Sequence, residues 1–138
     1  MKKTAFALCL VAGLASCDQI VDKRLAAASA DLNKTCPISV DKETRLDRTA
    51  ALPGKIFQYR YTIVNYARQE LDTAVLKKNL EPEIIQGLKT LPDMKFARDN
   101  KVTMQYHYRD KTGAYLMTLL GEARTVPKIG TLHYTGTA

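Results

Sequence analysis

At 138 residues, with 46% hydrophobic and 25% charged side chains, the chain has material for one globular domain and little more. That balance excludes a disordered or collagenous protein, and seven tyrosines and three phenylalanines without a tryptophan make a poor base-stacking platform. The formal charge of +7 favours an anionic neighbour such as phospholipid headgroups, a cell-wall polymer or an acidic protein, although interspersed charges are also what an ordinary solvated surface carries.

Lys2 and Lys3 precede a short apolar run, Ala5 to Gly13, and then small residues, which is the order of a secretory signal peptide. From Ala5 to Ala15 the apolar stretch falls well short of the ~20 residues that a membrane-crossing helix needs. The run ends in Leu14-Ala15-Ser16-Cys17, which resembles the lipobox of bacterial lipoproteins. The resemblance implies a diacylglyceryl group on the Cys17 thiol and cleavage just before it. Residues 1–16 would then be a lipoprotein signal peptide and 17–138 a single α+β envelope domain. Two or three acyl chains, at about 0.8 kcal/mol per buried methylene, make such a tether effectively permanent. A plain secreted protein cut nearby is the rival. Asp18, directly after the cysteine, resembles the sorting signal that retains lipoproteins in the inner membrane of enteric-type bacteria. With Lys2 and Lys3 removed, 19 basic and 14 acidic residues remain. Cys9 leaves with the leader and Cys17 carries lipid, so Cys36 is left without an intramolecular partner and is expected as a small buried hydrophobe.

Between Gln19 and Asn33, Val21, Leu25, Ala28 and Leu32 recur at helical spacing and predict an amphipathic helix, stopped by Pro37. Ile38 to Leu52 reads as extended: Ile38 and Val40 alternate with polar neighbours, and Thr44, Leu46 and Arg48 can carry a second short extended piece. Pro53-Gly54 is a turn, and in Lys55 to Tyr66 the residues Phe57, Tyr59, Tyr61 and Ile63 share one face of a strand while Gln58, Arg60 and Thr62 share the other. A helical stretch follows from about Glu70 to Thr90, with Leu71, Val75, Leu76 and Leu80 followed by Ile84, Ile85 and Leu88 as its apolar residues, and Pro82 predicts it to be split or kinked near Glu81. Val102 to Tyr108 and Ala114 to Leu120 form a hairpin about Asp110-Lys111-Thr112-Gly113, and an irregular tail begins at about residue 122, with a short extended piece at Thr131 to Tyr134. The order helix, two strands, helix, two strands predicts an α+β fold: a four-stranded antiparallel sheet with its helices on one face.

Chemistry is harder to find. His107 and His133 have no partner at metal-ligand spacing, and no nucleophile elbow, cysteine–histidine pair or phosphate-cradling loop occurs. No catalytic residue, metal site or cofactor is therefore assigned. Tyr59-Arg60-Tyr61 and Tyr106-His107-Tyr108-Arg109 interleave rings with charges, but strand alternation sends the two to opposite faces, so nucleic acid is not an expected partner. Asp41, Glu43 and Asp47 could supply an acid and a base for glycan cleavage; interleaved with Lys42, Arg45 and Arg48, they read rather as surface ion pairs. The stretch Val40-Asp41-Lys42-Glu43-Thr44-Arg45-Leu46-Asp47, with Pro53-Gly54 and Tyr59 to Tyr66, is similar to a pattern in small exported bacterial proteins without an assigned activity. It marks Asp41, Thr44, Arg45, Asp47 and Gly54 as polar and turn residues; Arg60 and His107 join the first four as candidate binding residues. The leading expectation is a non-enzymatic, lipid-tethered envelope accessory that binds a protein. A small-ligand or cell-wall glycan binder, and a hydrolase with an unrecognised carboxylate site, are the alternatives.

Overall fold

In the first helix, α1 (Ala15–Asn33), the residues turned inward are Val21, Leu25 and Ser29, each four apart. Ala28, expected on that stripe, is exposed, and Leu32 is half-buried. The stripe ends in polar contacts rather than in apolar packing. Ser29 Oγ lies 2.9 Å from Thr49 Oγ1, and Asn33 reads the Thr49 backbone from both sides, accepting its N–H at 2.7 Å and donating to its carbonyl at 3.0 Å. At the opposite end of α1, Asp22 accepts the N–H groups of Gly54 (3.3 Å) and Lys55 (2.8 Å), and Asp18 pairs with Lys55 Nζ at 3.1 Å. Lys55 sits at φ +58° after Gly54 at φ +86°, a left-handed conformation that a side chain seldom adopts and that the Asp22 carboxylate braces.

This computed structural model describes residues 15–122. The predicted leader, apart from Ala15 and Ser16 at the start of α1, and the predicted tail with its extended piece lie outside the described residues.

One sheet holds five strands in the order β1 (Ile38–Ser39), β2 (Thr44–Leu52), β3 (Ile56–Ile63), β4 (Thr103–Arg109), β5 (Tyr115–Glu122). The α+β class and the single sheet agree with the sequence, but a four-stranded antiparallel sheet does not. The extended segment from Ile38 to Leu52, counted as one strand in the predicted order, is two strands divided by a turn in which Asp41 Oδ1 accepts the N–H groups of Glu43 (2.7 Å) and Thr44 (2.8 Å), and the two-residue piece before the turn is the fifth strand. More consequentially, β3 and β4 run parallel while the other three pairings are antiparallel. The crossover between β3 and β4 holds α2 (Thr73–Thr90), α3 (Lys95–Asp99) and 3-10 turns at Arg68–Glu70 and Pro92–Met94, so the chain returns along the sheet before β4 begins.

Helix α2 starts at Asp72, whose carboxylate accepts from Ala74 N (2.9 Å) and Val75 N (3.3 Å), and runs unbroken through Pro82. Of the two predicted outcomes the split is absent: Pro82 and Lys78 are both exposed, so the carbonyl deprived of its donor lies on the solvent side, while Leu80, Ile84 and Leu88 hold the inner face to the core.

Register fixes the two faces. Phe57, Tyr59 and Tyr61 align with Met104, Tyr106 and Tyr108, and those with Gly121, Leu119 and Met117. Both long helices pack on this face, as predicted: α1 through Ser29 and Thr49, α2 where Leu88 and Ile84 meet Gly121. The other face carries Arg45, Arg48, Gln58, Arg60, Gln105, His107 and Arg109 toward solvent.

Candidate functional site

Because α1 packs chiefly on β2 and α2 on β5, a strip of the central sheet is left between them. Four tyrosines floor it. Tyr59 stacks on Tyr106 (ring centroids 5.5 Å, interplanar angle 12°) and Tyr61 on Tyr108 (5.1 Å, 18°), with Tyr59 and Tyr61 6.0 Å apart along β3. Leu80, Ile84 and Leu88 of α2 form one wall of the resulting groove, whose volume is about 390 Å³. Two large apolar side chains at its mouth face water: Val40 is 58% exposed and Leu91 50%. Asp41 and Glu83 add carboxylates to the same rim. A second groove of about 390 Å³ continues on the α1 side of Tyr59 and Met94, lined by Arg24, Asp31 and Asp93 among apolar residues, with the Arg24 guanidinium 4.6 Å from the centre of the Phe96 ring.

Electrostatically the floor is quiet. Burial raises the phenols of Tyr59, Tyr61, Tyr106 and Tyr108, with a contribution from Asp93 at Tyr59 and from Glu83 and Asp41 at Tyr108, so all four are neutral at physiological pH. The Glu43 N–H, followed by the other groups of its turn, holds Asp41 below the usual carboxylate range. An apolar floor, neutral hydroxyls and an acidic rim suit binding rather than bond-breaking chemistry.

The structure divides the residues singled out from the sequence. Asp41 and Thr44 border the groove. Arg45, Asp47, Arg60 and His107 stand on the open sheet face instead. There Asp47, at a bulge in β2, accepts from Arg45 Nε (2.6 Å) and Thr62 Oγ1 (2.5 Å), which engages both of its oxygens. Arg60 donates to Gln58 Oε1 at 2.6 Å, and Gln58 to Gln105 Oε1 at 2.9 Å. His107 Nδ1 lies 3.0 Å from Thr118 Oγ1 and its ring 5.2 Å from that of Tyr115. Burial, then the charges of Arg109 and Arg60, lower the His107 pKa and keep its ring neutral at pH 7. Asp41 and Asp47 thus do not share a cleft, and Glu43 accepts from the Tyr66 hydroxyl at 3.4 Å. Cys17 is exposed near the start of α1, and Cys36, expected to be buried, is half-buried. Val40 and Leu91 at the groove mouth were missed: each is isolated between polar or turn residues, and only the fold brings them together. Among the described residues no three His, Cys, Asp or Glu side chains cluster as a metal site, and no helix is long and apolar enough to cross a membrane.

Solved structures of other bacterial proteins share this fold, a sheet with its helices on one face. The pilotin EpsS of the Vibrio vulnificus type 2 secretion system shares it (TM-score 0.64, 11% identity, over 79% of this chain and 94% of that one). So does the type II secretion system pilotin AspS of Vibrio cholerae (0.58, 10%, 86% and 94%), as does a Pseudomonas aeruginosa protein described as secreted (0.63, 11%, 77% and 92%). By sequence the chain belongs to the family described as a domain of unknown function, DUF8479, whose profile matches residues 19–118. Among curated proteins none matches the chain.

Proposed function

We propose that this chain is an envelope lipoprotein, tethered by lipid on Cys17, that acts without catalysis by holding an apolar segment of an envelope protein in the groove between α1 and α2. The observation that carries this reading is the groove itself: stacked tyrosines below, Val40 and Leu91 exposed at the mouth, and Asp41 and Glu83 on the rim. Such a surface fits an amphipathic helix whose apolar side fills the groove and whose flank bears Lys or Arg. The fold shared with two secretion-system pilotins supports an accessory role in an envelope assembly, and the lipobox-like Leu14-Ala15-Ser16-Cys17, with the net basic balance that remains without Lys2 and Lys3, supports the address.

Two experiments test its two halves. Cells fed labelled palmitate should yield a labelled product from the full chain and none from Cys17→Ala, which should also leave the membrane fraction; an unlabelled, soluble full chain ends the tether. Affinity capture from gently solubilised envelopes should recover a stoichiometric partner that Leu91→Asp loses without a change in melting temperature, because Leu91 is half in water already. Recovery of the bait alone, or a partner indifferent to Leu91→Asp, rejects the groove. Membrane separation on a density gradient also decides the role of Asp18. If Asp18→Ser moves the protein between membranes, the residue sorts; if not, its bond to Lys55 is its use.

A further inference from the structure

The face of the sheet turned away from both helices holds a charge pattern that the groove does not account for. Arg48 and Arg60 are paired directly across β2 and β3, and His107 continues the same row on β4. Like charges directly opposite each other destabilise a sheet, and sheets normally set an opposite charge in such a position. In the next row Arg45 and Arg109 flank Thr62, and the one carboxylate there, Asp47, is already occupied by Arg45 and Thr62. Among the described residues no carboxylate bonds Arg48, Arg60 or Arg109, so three guanidiniums stand uncompensated on one face of the sheet.

We propose that this face docks an acidic segment of a partner protein, whose carboxylates are received by Arg48, Arg60 and Arg109. Guanidinium forks take carboxylates bidentately, and an extended segment presents every second side chain about 7 Å apart on one side, close to the spacing of rows along a strand. Thr62 stands between Arg45 and Arg109, Thr118 ends the row of Arg60 and His107, and Gln58 and Gln105 fill the adjoining row; these side chains offer hydrogen bonds to polar groups of a peptide and little to a uniform polyphosphate. An anionic bilayer fits less well. With the lipid on Cys17, which this orientation alone takes from the tether reading, the membrane lies toward the Gly54–Lys55 turn, since Asp18 and Asp22 bind the start of α1 there. The face's row nearest that turn, Leu52, Ile56, Thr103 and Glu122, has no cation and one carboxylate, and the arginines begin farther along the strands.

The test uses the full lipidated chain in neutral detergent and a fluorescein-labelled peptide of alternating Glu and Ser. Binding should weaken on adding salt, fall about tenfold or more in the Arg48→Gln, Arg60→Gln double variant, and stay unchanged in Lys78→Gln, Lys89→Gln on α2. The arginine double variant should melt no lower than the parent, because it relieves a like-charged pair. Leu91→Asp should leave peptide binding intact, which separates this face from the groove. The proposal is overturned if the arginine variant binds the peptide normally, if the peptide does not bind at low salt, or if polyphosphate or phosphatidylglycerol vesicles occupy the face more tightly with the same arginine dependence.

Discussion

Asp110 is sealed from solvent at 1% exposure, yet it stays ionised because donors converge on it: the Thr112 hydroxyl at 2.7 Å, and the N–H groups of Arg68 (2.7 Å), Thr112 (2.8 Å) and Ala114 (2.9 Å). The Thr112 hydroxyl contributes most, and together they hold the carboxyl down to about 2. An unfolded aspartate titrates near 3.9, so this group's stabilisation is complete above about pH 4 and disappears as pH falls through about 2. Asp110→Asn should therefore lower the urea midpoint at pH 6, and the gap to the parent should close between pH 4 and pH 2. Parallel curves would show that the charge is not what matters. The sequence marked Asp110 as a turn residue, because Asp-Lys-Thr-Gly is local turn chemistry. It could not show the reach to Arg68, 42 positions away. The candidate binding residues were legible to the same degree. Arg60 was placed opposite the tyrosines by alternation alone, but its pairing with Arg48, and the parting of Asp41 from Asp47, follow from register and from a bulge that no local pattern announces.

Between elements, β5 and α2 meet at a residue without a side chain. A Cβ on Gly121 would come within 2.3 Å of Leu88 Cδ1, and Leu88 is buried at 3% exposure, so β5 and α2 meet at their present distance because Gly121 is glycine. Gly121→Ala should cost about 1–3 kcal/mol as α2 is wedged outward, and pairing it with Leu88→Ala should recover part of that loss; the coupling is read from the four denaturation curves of a double-mutant cycle. Full additivity would mean the two residues do not compete for space. Elements with a strong period were legible: β3 from its alternation, the inner face of α2 from Leu80, Ile84 and Leu88, and the helices' shared face from the tyrosine side of the strands. What failed depended on contacts remote in sequence. Ser29 displaced Ala28 from the core because Thr49 offered a hydrogen-bonding partner, and the parallel pairing of β3 with β4 was set by where the crossover delivers the chain.

At the scale of the whole molecule, the two surfaces are segregated and the proposed anchor sits at one end of both. The acid-rimmed groove lies between the helices on one face of the sheet, and the arginines lie on the opposite face. Helix α1 begins at Ala15, so a lipid on Cys17 would be followed by no spacer, and Asp18 and Asp22 lash that end of the helix to the Gly54–Lys55 turn. The turn from Asp110 to Gly113 lies at the far end of the sheet, because Ile56 aligns with Thr103 and Thr62 with Arg109. Eight residues of β3 put about 25 Å between the ends. A tethered domain should accordingly stand with the near turn at the headgroups and the far turn away from them, leaving both docking surfaces open sideways. In a Cys36→Ala background, fluorophores placed by Pro53→Cys and by Ala114→Cys, both exposed positions, report the two ends in vesicles containing headgroup-nitroxide lipid. Quenching should be several-fold stronger at position 53 than at 114. Equal quenching would mean that the sheet lies along the membrane, which would cover one of its two faces and remove either the groove or the arginine row from use.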